Sequence, residues 1–336
     1  MKKTLAILCA AAMLFALCAC GQTAAPAATA APAAEPAAAA PAAEAVTYNV
    51  GICQLVQHPA LDAATQGFID ALTEKLGDSV VISNQNAAGD SATCATIVGT
   101  FVSDEVDLIM ANATPALQAA QSATNTIPVL GTSITEYGVA LGLDNFNGTT
   151  GINISGTSDL APLDGQADML AEIFPDAKNV GILYCSAEAN SKYQVATITP
   201  FLQAKGYTVT EYTFTDSNDV AAVTTTACGE NDVLYIPTDN TAASCAEAIN
   251  NIALPANVPI VAGEENLCAG CGTVTLSISY YDIGYATGLM AYEILVNGAD
   301  VSTMPIEYAP QFVKKYNAAN CEALNIAVPA DYVAIE

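Results

Sequence analysis

From residue 47 onward, short continuous apolar runs alternate with longer stretches whose apolar positions recur at helical spacing. Runs at 48–55, 80–83, 107–111 and 127–131 read as strands. Between them, 59–76 (with Leu61, Ala64, Phe68 and Leu72 on one face, ending at Gly77), 91–102 and 114–123 read as helices. Strands buried on both faces read as unbroken apolar runs, so this alternation predicts parallel sheets covered by helices on each side. Between 137 and 158 the pattern lapses into Gly, Asn and Thr, the expected place for the chain to cross between domains. The alternation then restarts. Helices are predicted over 162–174, 190–205, 218–228 and 241–252, with strands over 179–184, 208–214, 233–236 and 259–262. A strand at 273–279, a long helix at 282–296 and short extended pieces complete the chain. Two α/β series of similar size predict two lobes.

The clearest single unit is Val233-Leu234-Tyr235-Ile236, stopped by Pro237 and followed by Thr238, Asp239, Asn240 and Thr241 at the head of an Ala-rich helix. In open parallel sheets ligands bind beyond the carboxyl ends of strands, which places Thr238, Asp239 and Asn240 to touch one. The same residue types also cap helices, and one such tip alone does not separate the two uses.

The amino terminus follows a different pattern. Met1-Lys2-Lys3, an apolar run over 5–17 and Leu17-Cys18-Ala19-Cys20 have the form of an export signal, too short for a comfortable membrane span. Its end resembles a bacterial lipobox, with residues 1–19 removed and Cys20 lipidated. Residues 20–46 are almost all Ala and Pro, with Glu35 and Glu44 the only charges, and read as a solvated, extended tether. The expected location is the extracytoplasmic face of the cell membrane, held by lipid.

Composition then excludes function classes. The chain has 34 acidic residues against eight lysines, no arginine, and a formal net charge of −26, a field that repels nucleic acid and anionic lipid. It has one histidine, His58, neither a G-x-S-x-G elbow nor a phosphate loop, and so no evident catalytic set. No cofactor and no metal are expected. Of the 11 cysteines only Cys268 and Cys271 have redox or metal spacing, and a lone CxxC with one distant histidine does not complete a zinc site. A local disulfide or free thiols are expected there, with most other cysteines small buried hydrophobes.

Five segments in one order carry a family resemblance: Val56-Gln57-His58-Pro59-Ala60-Leu61-Asp62; Ser83-Asn84-Gln85-Asn86-Ala87-Ala88-Gly89-Asp90; Ala113-Thr114-Pro115-Ala116; Gly181-Ile182-Leu183-Tyr184 with Glu188-Ala189-Asn190-Ser191; and Pro237-Thr238-Asp239-Asn240-Thr241. From about residue 48 to 329 the chain resembles the ABC-transporter substrate-binding lipoproteins grouped with the tryptophan- and tyrosine-binding proteins. The resemblance implies the periplasmic-binding-protein type I fold, two Rossmann-like α/β lobes joined by a hinge of three crossings. It implies a first lobe of 47–157 plus 281–304 and a second of 158–280 plus 305–336. It further implies a monomer that is not an enzyme, closing on a small solute, most simply tyrosine or tryptophan, and delivering it to an ABC permease and its ATPase. A sensing ectodomain for a partner protein, or a receptor for another small solute, is the alternative. One departure stands out at the last tip of the second lobe, Gly263-Glu264-Glu265-Asn266, followed by the CxxC.

Without arginine, no guanidinium clamp is available for a ligand carboxylate. Helix N-termini would substitute, through Thr114 and the backbone after it and through the Thr132, Ser133 and Thr135 tip. A ligand ammonium would pair with Asp239 or Glu188, and Asn190, Ser191, Asn240 and Asp159 would complete a polar shell. Gln57, His58 and Tyr184 or Tyr281 would bound an aromatic side-chain pocket. Asn86, Thr238 and Glu264 join the candidate contacts as tip residues of the resembling segments and of the departing one.

Overall fold

The computed structural model describes residues 46–335. The expected leader, the lipidation position Cys20 and the tether up to residue 45 lie outside the described residues.

The first series runs β1 (Tyr48–Gln54), α1 (Pro59–Leu76), β2 (Val80–Asn86), α2 (Ser91–Ser103), β3 (Leu108–Asn112), α3 (Thr114–Ala123), β4 (Val129–Ile134), α4 (Tyr137–Leu141) and β5 (Ile154–Ser158). The second runs α5 (Leu163–Ile173), β6 (Asn179–Cys185), α6 (Ala189–Ala204), β7 (Thr208–Phe214), α7 (Val220–Glu230), β8 (Val233–Ile236), α8 (Asn240–Ser244), α9 (Ala246–Ala253), β9 (Ile260–Ala262), α10 (Glu265–Cys271) and β10 (Val274–Ser277). The chain ends with α11 (Tyr280–Asn297), β11 (Glu307–Tyr308), β12 (Val313–Tyr316), α12 (Ala318–Ala323) and β13 (Val333–Ala334).

Two separate sheets result, one ordered β11-β5-β4-β3-β1-β2 and the other β13-β12-β10-β9-β8-β6-β7. Apart from the antiparallel β10–β12 pair, every pairing is parallel. Each sheet contains the doubly wound order 2-1-3-4-5, whose switch point lies between its first and third strands. The chain passes from the first sheet to the second after β5, returns between β10 and α11, and crosses again after β11. These are the two lobes and three crossings.

Three local expectations are corrected. The lapse at 137–158 contains α4 and the fifth strand of the first sheet, because β5 is short, follows turns at Gly148 and Gly151 and carries Gly156 within it. The predicted helix 241–252 breaks at Cys245 into α8 and α9. β11, expected in the second lobe, pairs with β5 in the first sheet, a two-residue strand too short to leave a pattern.

α1 buries Ala60, Leu61, Ala64, Phe68 and Leu72, and full burial of a Leu or Phe is worth about 1.5–3 kcal/mol each. Its other neighbour is α11, which returns from the second lobe to pack along it backbone against backbone. A Cβ on Gly67 would strike the Tyr281 carbonyl, one on Gly284 the Ala64 carbonyl, and one on Gly288 would lie 2.6 Å from the Ala71 Cβ. Backbone offers no flexible end that could yield. Gly284→Val is therefore expected to destabilise the protein by at least about 1–3 kcal/mol, the usual range for overpacking. Urea unfolding measures it, and an unchanged midpoint would contradict the close helix contact.

Candidate functional site

The carboxyl ends of both sheets face one another across the cleft, and each tip is fixed by its own polar network. At the end of β1, Gln54 donates to Asp62 Oδ1 at 2.7 Å and to the Val56 carbonyl at 2.9 Å, and accepts from Thr65 Oγ1 at 2.7 Å. Asn112, at the end of β3, donates to the Leu61 carbonyl and to Thr65 Oγ1. These buried bonds pin the first turns of α1, so that His58 at its N-cap points inward, 6% exposed. His58 makes no capping bond, which leaves the first-turn N–H groups of this 18-residue helix uncapped.

At the end of β4, Ser133 sits buried at φ 57°, a left-handed conformation costly for a non-glycine residue. The tip is held from beneath by the Tyr137 hydroxyl, which bonds the Gly131 and Thr157 carbonyls. Asp159 follows β5. Its Oδ1 accepts from Thr135 Oγ1 at 3.1 Å and its Oδ2 from the Tyr280 hydroxyl at 2.9 Å.

In the second lobe, Asp239 caps α8 through the Ala242 N–H and also accepts from the Cys185 N–H at 2.6 Å and Ser191 Oγ at 2.7 Å. It thereby ties β6 to β8 at the switch point. Glu188 receives bonds from Asn190 Nδ2, the N–H and Nδ2 of Asn240, and the N–H and Oγ1 of Thr241. Glu264 caps α10 through the Asn266 and Leu267 N–H groups. Gly263 before it explains the departing tip, since a Cβ there would lie 2.5 Å from the Thr238 backbone nitrogen. Two tips can meet only where the side chain is absent.

Between the tips lies a small cavity lined by His58, Leu61, Ser133, Asp159, Asn190, Thr238, Asp239, Asn240, Ala243, Glu264 and Tyr280. It retains about 10 Å³ of free volume, room for about one water molecule. Beside it a hollow of about 290 Å³ opens where Val56, Gly89 and Pro115 face Ala187, Thr215 and Thr241, and Asn240 borders both. A roomier hollow of about 690 Å³ lies at the crossings, around Ile278, Ile283, Tyr308 and Val313. None of the unpartnered buried side-chain atoms found among the described residues lines it. Three of those five atoms, His58 Nδ1, Ser133 Oγ and Asn190 Oδ1, belong to residues that line the small cavity instead.

The polarity of these atoms can be read. The Asn240 amide is oriented by its donation to Glu188, so its Oδ1 faces His58 Nε2 at 3.4 Å and Nε2 carries the proton. Burial lowers the His58 pKa, keeping the ring neutral, and Nδ1 is then an acceptor. Asn190 Oδ1 is an acceptor as well. Together with Asp159, Asp239 and Glu264, the cavity is a shell of acceptors. No lysine lines it, and the five ion pairs among the described residues involve none of these acids. Burial pushes Asp159 up to about 6 and Glu264 up to about 7. Asp239 is raised too, by burial first and by the charge of Glu188 second.

Among the sequence candidates, His58, Asp159, Asn190, Thr238, Asp239, Asn240 and Glu264 are gathered here. Thr135, Glu188 and Ser191 stand behind them as hydrogen-bond partners. Others lie elsewhere. Gln57 is exposed, and Asn86 is an exposed turn former accepting from the Ala88 N–H. Thr114 is buried at the start of α3 but does not line the cavity. Tyr184 packs in the second-lobe core with its hydroxyl on Glu211. Tyr281 faces outward to Asp70, and its neighbour Tyr280 turns into the cleft instead. Leu61 and Ala243 escaped sequence reasoning, since apolar residues in amphipathic helices carry no signal that separates cleft from core. Cys268 and Cys271 are free buried thiols in α10.

Away from the crossings, two side-chain hydrogen bonds span the cleft among the described residues: His58–Asn240 at 3.4 Å and Thr135–Thr238 at 3.5 Å. Both sit at the weak limit of hydrogen-bond geometry. The tips are closed on one another with little direct bonding to keep them so.

A family model described as ABC transporter substrate binding protein matches residues 49–334. A tyrosine-binding protein of Clostridioides difficile is 38% identical over 261 residues, covering 77% of this chain and 75% of the relative. A Streptococcus pneumonia ABC domain solved in complex with L-Trp is 30% identical, with a TM-score of 0.81 over 84% of this chain and 96% of that one. A ligand-free, open substrate binding protein with adhesive properties from Clostridium difficile is 37% identical, covers 86% of this chain and 99% of its own, yet has a TM-score of only 0.66. The backbone thus superposes better on the L-Trp complex than on the open protein, despite the latter's higher identity.

The raised carboxyl values fix a pH dependence. Acids whose folded values exceed the unfolded value of about 4 bind protons on folding, so stability is greatest below that value and declines as pH rises through the folded values. The melting temperature of the unliganded protein is expected to fall between about pH 5 and about pH 7. Calorimetry measures it; a rise would mean that the acids are compensated in the free protein.

Proposed function

Because the chain belongs to the family of ABC transporter substrate binding proteins, which are solute receptors rather than enzymes, we propose that it traps an aromatic α-amino acid, tyrosine or tryptophan, between its lobes and hands it to a permease driven by a separate ATPase. The observation that carries this reading is the shell of buried acceptors with no cation among them. Such a shell favours a ligand rich in donors, and an ammonium group supplies three N–H bonds together with the missing positive charge. The phenol O–H of tyrosine or the indole N–H of tryptophan adds one more, suited to an unpaired acceptor such as His58 Nδ1 or Asn190 Oδ1.

A carboxylate needs donors instead. Those at hand are the Ser133 hydroxyl and the uncapped N–H groups of α1, whose dipole favours an anion. Leu61, Ala243 and the Tyr280 ring offer apolar surface to an aromatic side chain. With about 10 Å³ free in the closed cleft, the solute enters only when the lobes part, and closure around it buries ligand and acids together. In this reading Cys20 carries a lipid, residues 20–46 are the tether, and the receptor works as an extracytoplasmic monomer. No helix among the described residues is long and apolar enough to cross a membrane.

In a thermal-shift screen of amino acids, sugars, purines and peptides, L-tyrosine or L-tryptophan is expected to raise the melting temperature, by an increment that grows with ligand concentration. A response confined to a sugar or purine would overturn the ligand class. Labelling with a radioactive fatty acid is expected to mark the full chain and to be lost in Cys20→Ser; label retained in the variant would remove the anchor from that position.

A further inference from the structure

The four buried acids of the cleft differ in how much of their accepting capacity the protein already uses. Glu188 receives five donors and holds the start of α8. Asp239 receives three and joins β6, α6 and the cap of α8. Glu264 also receives three, all from Asn266 and Leu267 at the head of α10. Each of these has a structural reason to be acidic and few lone pairs to spare, since an ionised carboxylate offers about four accepting sites.

Asp159 is different. It caps no helix, receives one hydroxyl donor on each oxygen, and is 5% exposed in the cavity wall. Its partners are Thr135, at the end of the fourth strand of the first lobe, and Tyr280, where the chain has just returned from the second lobe. Asp159 itself begins the first crossing, its N–H bonded to the Ile134 carbonyl. One carboxylate with spare capacity therefore sits where two of the three crossings meet the cleft.

We propose that Asp159, rather than Asp239 or Glu188, seats the ligand's ammonium group, and that this contact couples the ligand's charge to the two crossings that Asp159 and Tyr280 belong to. The proposal rests on the amino-acid reading above and goes beyond it in naming the acid. Geometry also separates the two ends of the ligand. The ammonium lies at the hinge wall, and the anionic end points to Ser133 and the start of α1 in the first lobe. Titration at Asp159 takes place among Tyr280 on α11, Tyr137 on α4 and Glu264 ahead of α10, with His58 and Asp239 in the same cavity. Protonated, Asp159 cannot pair with an ammonium, so affinity is lost as pH falls through its value of about 6.

Calorimetric titration of the full soluble body with L-tyrosine, L-tryptophan and 3-(4-hydroxyphenyl)propionate, which lacks the amino group, tests this. Asp159→Asn is expected to weaken tyrosine or tryptophan binding at least about thirtyfold, as loss of one partner of a buried charge pair does. The propionate should bind both proteins weakly and about equally. The wild-type affinity should fall below about pH 6 and that of the variant should not. The unliganded melting temperature is expected to survive Asp159→Asn and to drop in Asp239→Asn, whose amide keeps one acceptor oxygen but turns an NH2 toward donors from which the other carboxylate oxygen accepted. Tyrosine bound by Asp159→Asn within about threefold of wild type, or an equal loss of tyrosine and propionate, would overturn the seat and leave the receptor reading intact. Wild-type protein indifferent to both amino acids would overturn the amino-acid reading, and the seat with it.

Discussion

Carboxylates buried without a cation are the constraint around which this molecule is arranged. An isolated charge moved out of water is costly unless hydrogen bonds or an opposite charge replace the lost hydration. The second lobe meets that demand with backbone, setting Asp239 and Glu264 at helix starts where N–H groups are free and binding Glu188 to the same helix head as Asp239. Asp159 at the hinge is met only by two hydroxyls. Closing the lobes removes water from all of these acids at once. The two long hydrogen bonds that span the cleft return little for it, and in the proposed reading the ligand's ammonium group supplies the rest.

The same arrangement explains why the tips are so heavily braced. A pocket that discriminates by hydrogen bonding needs its atoms held to fractions of an ångström, and here Gln54 and Asn112 lock the first turns of α1 while Tyr137 locks β4 to β5. Ser133 is held in a conformation it would not choose alone, which is the sort of strain that a braced site can sustain. α11 extends the bracing. It brings Tyr280 into the cleft at its first turn and lies glycine against backbone along α1, whose N-cap is His58. His58 and Tyr280 therefore stand on one packed pair of helices.

Much of this was legible in the sequence, for a physical reason. Strands buried on both faces leave unbroken apolar runs, so the two α/β series and the tip at Thr238, Asp239 and Asn240 could be placed by pattern alone. The weak elements hid where pattern fails: β5 behind glycine turns, and the two-residue β11. A place beside the cleft was readable for polar residues at strand ends, but the hydrogen bonds each one makes there were not. Asp159 and Asp239 look alike in sequence, and only the number of donors already reaching each oxygen separates them. Tyr280 and Tyr281 differ by one step along a helix, about 100° of rotation, and that decides which enters the cleft. The Gly263-Glu264 tip looked anomalous until the close passage of the Thr238 backbone accounted for the glycine.

The route of the chain through its crossings also constrains how the protein can be made. Neither lobe is encoded by one continuous stretch, since the first is completed only when α11 and β11 arrive after nearly all of the second has been synthesised. Until then the face of α1 that receives α11, with Gly67 and Ala71 along it, has no cover. A chain emerging amino end first must therefore carry an unfinished first half through most of its synthesis. Long-range closure of that kind folds slowly and leaves apolar surface open to the wrong partner, so a nascent chain of this design would gain from a chaperone acting before its last few dozen residues appear.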